Sequence, residues 1–521
     1  MMVGSAVAGA CFKSGCADSG AISDGLRRCI FPAFFGPAKQ VAEKGLDLNE
    51  RPQKHTSGPE GPLDSVRLMP GLKPRPTARA SFSAACKAVP LLQNRLLKQV
   101  LAKLAQGEVL PMSPTIFISA GEASGEHYGA LLAAALKRRL AATGRDAHLY
   151  GMGGERMQAA GVERVVRAED MAVMGLTEVL LHLPRIYREF RKLKKAIRAR
   201  RPDVAVLIDF PEIHFRLARE FDRLGVPVIF FVSPQLWAWK KHRIKLVQRY
   251  IRKMLVIFPF EEAFYRENGV TAEFVGHPLA ELPLPDTTRE QFAAENSLDP
   301  ARTWIGLLPG SRSREIRDHL AEMLEAGRGL QTATRPAQEF EFIVPLAPTL
   351  SLAQRAEVLQ LIKDHGSGLS VRVVDDARAA LFHARASVVA SGTATVEAAL
   401  IGNPFVVVYR VSALTYAIAK RVVKVPHVAM ANLIAGKRVV PELIQHDFTA
   451  ANIAEEMARL LPDGVARESM IKELGAIREA LSLRPAEVGN GAAGAIERVA
   501  AITLEELEDT SHVTAEWAVQ S

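Results

Sequence analysis

Cysteine is scarce: the 521-residue chain has four, Cys11, Cys16, Cys29 and Cys86, and none beyond them. The body of the chain therefore has neither a disulfide framework nor thiol chemistry, which suits a reducing compartment, and the four lack the spacing of a zinc site. Long apolar runs are also missing. No stretch reaches the roughly 18 uninterrupted apolar residues of a membrane-spanning helix. A surplus of positive charge is missing from the body as well. The formal charge is +9, but residues 1–111 hold 15 Lys/Arg against 8 Asp/Glu, leaving 51 against 49 in the remaining 410. The basic balance belongs to the leader, so it is no signal of nucleic-acid binding.

That leader is rich in Gly, Pro, Ser and Ala between residues 51 and 90 and periodic only near 91–104. It reads as disordered, or as a reading frame extended upstream of Met112, and a start at Met112 is expected to leave a soluble, active protein. From residue 115 strand and helix patterns alternate. Apolar runs at 148–150, 204–208, 226–232, 254–258 and 273–275 form one series, and runs at 304–309, 340–344, 369–374, 387–390 and 405–408 form a second. Alternation of this kind predicts an α/β protein of two doubly wound, Rossmann-like domains facing across a cleft, at 112–283 and 299–485. Two prolines near 282–288 mark a linker, taken as 284–298, and 486–521 reads as a terminal helix with a solvated acidic tail.

Three strand–loop–helix junctions have chemistry to offer. Ser119-Ala-Gly-Glu-Ala-Ser-Gly125 follows the first strand, and Gly121, Ser124 and Gly125 at a helix start suit an anion or a sugar hydroxyl. Its spacing is not the Gly-x-Gly-x-x-Gly of dinucleotide sites. Leu308-Pro-Gly-Ser-Arg312 opens the second domain. Gly310 permits close backbone approach, Ser311 can donate, and Arg312 has the forked geometry that fits a diphosphate. Ser391-Gly-Thr-Ala-Thr-Val-Glu397 repeats the arrangement, with Ser391, Gly392, Thr393 and Thr395 at a helix start and Glu397 placed for ribose hydroxyls. Each loop also has a plainer reading as a capped helix start.

Asp209 ends a hydrophobic strand and faces the expected cleft, where a carboxylate serves as general base or merely as a cap. Glu122 and His214 are secondary candidates. Trp237 and Trp239 suit either sugar stacking or packing. No Asp-x-Asp pair ends a strand, so no metal or other cofactor is expected. Nine Lys/Arg between 184 and 201, next to the apolar stretch 171–183, suit an anionic membrane surface or a solvated helix face.

Together these residues resemble the lipid-A-disaccharide synthase family. The matching elements are Ser119–Gly125, Met171-Ala-Val-Met-Gly175, Ile208-Asp209, Val232-Ser-Pro, Trp237-Ala-Trp239, Pro259-Phe-Glu261, Gly276-His277, Leu308–Arg312, Ser391-Gly-Thr-Ala394, Asn432-Leu and Ala435-Gly436, in order over about residues 113–485. The resemblance implies a GT-B fold and metal-independent, inverting transfer from a UDP-2,3-diacylglucosamine donor to a 2,3-diacylglucosamine 1-phosphate acceptor. It implies Asp209 as base, Arg312 and the Ser391–Glu397 loop as UDP contacts, and Asn432 as a donor-site residue. It also implies a cytoplasmic protein, peripheral on the inner membrane, with self-association left open. Glu126 and His214 stand where the family's pattern has Asp and Asn. The alternatives are another UDP-sugar enzyme of this fold, such as an epimerase or a soluble hexosaminyltransferase, and a nucleotide-sugar binding module without turnover.

Overall fold

The computed structural model describes residues 113–171, 176–239, 241–333, 339–422, 425–483 and 494–520. The leader, its periodic segment at 91–104, and 172–175 of the apolar stretch lie outside the described residues.

The first series runs β1 (Thr115–Ala120), α1 (Ala123–Ala142), β2 (His148–Gly153), α2 (Glu155–Ala159), β3 (Glu163–Arg167), α3 (Leu176–Arg200), β4 (Val204–Ile208), α4 (Pro211–Leu224), β5 (Val228–Phe231), α5 (Ile244–Tyr250), β6 (Lys253–Val256), α6 (Pro259–Glu267) and β7 (Ala272–Phe274). Its seven strands pair in the order β3-β2-β1-β4-β5-β6-β7, all parallel. The central strands are apolar on both faces because helices cover both: all five residues of β4 are fully buried. Chain direction across the sheet reverses between β1 and β4, which pair through Ser119 and Leu207. A crevice therefore opens beyond Ala120 and Ile208, where such sheets bind ligands.

The second series comprises α7 (Arg289–Asn296), β8 (Thr303–Leu308), α8 (Ser313–Ala333), β9 (Phe340–Pro345), α9 (Leu352–His365), β10 (Val371–Val374), α10 (Ala377–His383), β11 (Ala386–Ala390), α11 (Thr393–Ile401), β12 (Phe405–Tyr409), α12 (Ala413–Val422), α13 (Met430–Ala435), β13 (Glu442–Ile444), α14 (Ala450–Leu460) and α15 (Val465–Leu481). Its six parallel strands are ordered β10-β9-β8-β11-β12-β13, with the reversal between β8 and β11. The expected pair of doubly wound domains is present. Two edge strands were not anticipated. In β3, Glu-Arg-Val-Val-Arg contributes only Val166 to the buried core, and β13 is three residues long, so neither shows the apolar run of an interior strand.

The segment read as a linker holds α7, which Thr288 and Gln291 start with a reciprocal capping box. Phe292 of α7 is buried with Trp304, and the Arg289 guanidinium sits 3.6 Å from the Trp304 ring centroid. The acidic end lies within α16 (Ala495–Gln520), which packs on the first domain, and of its acids Glu505, Glu508 and Asp509 are exposed while Glu506 is buried. Arg138 and Arg139 of α1 both hold Glu497, Arg498 meets Glu273 at 2.7 Å, and Glu506, 3% exposed, meets Arg252 at 2.9 Å. Val499, Ile502 and Leu507 are buried along the same helix, each stabilising the contact by about 1.5–3 kcal/mol.

Candidate functional site

Asp209 is the residue after β4, and its backbone is left-handed at φ 50°, as is that of Phe210 at 49°. Val232, which follows β5, is left-handed too, at 63°. Three non-glycine outliers at the carboxyl ends of two adjacent strands are strain of the kind held at functional sites. What holds the Asp209 turn is His214, one turn into α4 and fully buried. Its Nδ1 lies 2.5 Å from the Asp209 carbonyl oxygen and its Nε2 lies 2.8 Å from Ser119 Oγ. A carbonyl only accepts, so Nδ1 bears the hydrogen and Nε2 accepts from the Ser119 hydroxyl. Burial drives the His214 pKa down to about 4, keeping the ring in this neutral form.

The Asp209 carboxyl is pushed up to about 7, first by burial and then by the negative charge of Glu122, against a hydrogen bond from the Phe210 N–H. Glu122, at the N-terminus of α1, is itself raised by burial, and Arg312 of the second domain opposes that rise. The two carboxyls therefore interact, and the charge of Glu122 helps Asp209 keep its proton. Tyr128 of α1 joins them: burial, Glu397 and Asp209 all hold its hydroxyl protonated. The charges of Arg312 and Glu397 thus act on residues of the first domain.

In the second domain Gly310 is left-handed at φ 122°. Glu315, in the first turn of α8, closes this loop: its carboxylate accepts from the Ser311 N–H at 3.3 Å and from Arg312 Nη1 at 2.9 Å. The guanidinium is thereby aimed while keeping donors for a ligand. His319, also fully buried, donates from Nδ1 to the Pro309 carbonyl at 2.8 Å and accepts from the Arg410 N–H at 3.0 Å. Beyond β11, α11 starts at Gly392 with no side-chain cap, which leaves its first N–H groups for an anion. Ser391, Gly392 and Glu397 are half-buried and Thr393 is exposed. Burial raises the Glu397 carboxyl, and Arg378 counters it.

Several candidates occupy other roles. Asn432 is fully buried, its Nδ2 donating to Val440 O and Glu442 Oε1 and its Oδ1 accepting from the Val439 and Val440 N–H groups. All its hydrogen-bonding capacity closes the turn before β13, so it does not reach a donor. Thr395 is fully buried, and its hydroxyl donates to the Gly392 carbonyl at 2.7 Å. On the face where a side chain would stand, Gly121 meets the Phe210 ring and Gly125 meets Ile208, so both serve packing there. Ser124 is half-buried in the uncapped first turn of α1. Glu126 accepts from the Met157 N–H at 2.8 Å and steadies the start of α2. His214 lies behind Asp209 and presents nothing to a substrate. Trp237 is 9% exposed and donates from Nε1 to buried Glu261, so it is packing. Sequence reasoning missed Tyr128, Glu315 and His319, which lack a local signal apart from the position of Glu315 in the first turn.

A family model described as lipid-A-disaccharide synthetase matches residues 116–487. The lipid-A-disaccharide synthase of Acidobacterium capsulatum is 61% identical over 379 residues, covering 71% of this chain and 92% of that protein. The one from Koribacter versatilis is 50% identical over 367 residues, covering 70% and 93%. The one from Myxococcus xanthus is 43% identical over 394 residues, covering 75% and 97%. Since one family model spans both sheets and every loop that meets between them, this chain belongs to the lipid-A-disaccharide synthetase family.

Proposed function

We propose that this chain joins a UDP-2,3-diacylglucosamine donor to a 2,3-diacylglucosamine 1-phosphate acceptor with inversion, releasing UDP. The observation that carries the reading is the left-handed turn that places the buried Asp209 at the carboxyl end of β4, where it feels the charge of Glu122, which in turn feels Arg312 of the second domain. Asp209 takes the proton of the acceptor hydroxyl as its oxygen bonds to the anomeric carbon. The sugar–phosphate bond breaks on the opposite face, and UDP departs with the bonding pair. Arg312 and the uncapped start of α11 receive the diphosphate charge, while Glu397 accepts from the ribose hydroxyls. The negative charge of Glu122 raises the affinity of Asp209 for that proton.

The same proposal places the protein on an anionic bilayer surface. None of the described helices is long and apolar enough to cross a membrane. Of the basic run on α3, Arg185 pairs with Asp170, Lys194 and Arg198 with buried Glu220, and Arg200 with Glu163. Tyr187, Arg191 and Lys195 recur every fourth residue, lie exposed on one helix face, and form the contact. UDP release measured with both acylated substrates tests the activity: release that needs the acceptor supports it, and release without acceptor, or none, refutes it.

A further inference from the structure

We propose that His214 is a positioning residue for the base: by holding the Asp209 carbonyl from Nδ1 while anchored through Nε2 to Ser119, it fixes the left-handed turn that aims the Asp209 carboxyl at the acceptor. The inference rests on Asp209 being the base. The ring joins two neighbouring strands on either side of the crevice, since Ser119 belongs to β1 and Asp209 follows β4. It is packed edge-on against Phe210 at 5.8 Å and Phe230 at 6.0 Å between ring centroids, so it has one orientation. Asp209 and Phe210 are both in a conformation that costs a non-glycine residue of order 1–3 kcal/mol, and such a pair persists only where its surroundings enforce it. Among the described contacts, the hydrogen bond that enforces it at the Asp209 carbonyl is His214's.

The second domain uses the same device. His319 of α8 holds the Pro309 carbonyl ahead of the Gly310 loop and is anchored on the strand side through the Arg410 N–H. In both domains a buried neutral imidazole ties the carbonyl at a strand end to another strand of the same sheet or its extension, the adjacent β1 in the first domain and β12, beyond β11, in the second, just where the chain turns into a functional loop.

The charged groups facing the Asp209 carboxyl are Glu122, with the Tyr128 hydroxyl from α1. His214 touches the peptide and not the carboxyl, so its loss moves the carboxyl without removing a charge. Relaxing the turn lets the carboxyl leave its buried position, and the acid limb of the kcat profile then moves to lower pH.

The test is steady-state kinetics and UDP binding for His214→Ala, His214→Asn and Ser119→Ala, with Asp209→Asn alongside and the folded fraction measured for each. His214→Ala is expected to lower kcat roughly tenfold to a hundredfold with the donor KM and the UDP Kd within about twofold, since displacing a reacting group by an ångström has an effect of that size. Asn can still donate to the carbonyl from Nδ2 and accept from Ser119, so His214→Asn is expected to restore most of the lost rate, and Ser119→Ala to give a smaller loss of kcat alone. The acid limb should shift down in His214→Ala and stay in place in His214→Asn. A loss of rate that follows the loss of folded protein, with the limb unmoved, overturns the proposal, as does an unchanged kcat in His214→Ala. Turnover that survives in Asp209→Asn instead sinks the base assignment itself, a separate outcome.

Discussion

The ring of Phe210 covers the α-carbon of Gly121, and a Cβ built on Gly121 would lie 2.3 Å from the ring's Cδ1. Glycine at this point lets the Asp209–Phe210 turn close down over the loop that carries Glu122. Gly121→Ala is expected to force the ring away, destabilising the protein by about 1–3 kcal/mol as overpacked sites do. It should also lower kcat more than it lowers UDP affinity. A thermal melt together with turnover checks this, and an unchanged melting temperature counts against the packing role.

Asp209→Asn should keep donor binding and lower kcat at least a hundredfold, because it removes the proton acceptor and little else. In the parent, kcat should rise with pH through about 7, where the carboxyl loses its proton. The same shift fixes a sign for stability. A carboxyl raised above its unfolded value favours the folded state at low pH, and that contribution is lost as pH rises through the folded value. Asp209→Asn should therefore melt higher than the parent at pH 8, with the difference vanishing near pH 4. Equal loss of UDP binding, or a lower melting temperature at pH 8, would make Asp209 structural.

Arg312→Ala should weaken UDP binding by roughly 1.5–3 kcal/mol, the usual effect of losing a charged hydrogen-bonding partner. Its influence also reaches Glu122, whose carboxyl it restrains from rising. Calorimetric titration with UDP decides the first point, and an affinity equal to the parent's removes the diphosphate reading of the Gly310 loop.

Charge reversal at Arg191 and Lys195 should reduce sedimentation with anionic vesicles and turnover of dispersed lipid substrate, while leaving UDP affinity as it was. High salt should mimic the change. Lys194 is unsuited to this test because it neutralises buried Glu220 at 2.8 Å. A reversed variant that sediments as the parent does would exclude this face as the membrane contact.

The parts legible in the sequence were those that depend on local pattern. Asp209 could be found because a fully apolar strand ends on it, and Arg312 because a glycine and a helix start flank it. Asn432 could not be placed correctly, since the backbone groups that consume its amide, at 439 and 440, are joined to it only by the fold. His214 looked like a catalytic group for the same reason: nothing in its neighbourhood announces Ser119, 95 residues earlier. The strands missed, β3 and β13, are edges, where one side needs no apolar cover. In the acidic run at 505–509 the average polarity hides that Glu506 and Leu507 turn inward while Glu505, Glu508 and Asp509 stay exposed.

Helix α16 is made after both sheets, yet its Glu497 is gripped by α1, the first described helix. On the ribosome, the first domain thus emerges with a face that stays bare until α16 is made. A fragment stopping near residue 283 would expose the apolar surface that Val499, Ile502 and Leu507 cover, and would gather into aggregates, whereas a fragment carrying 495–520 fused behind it would stay dispersed.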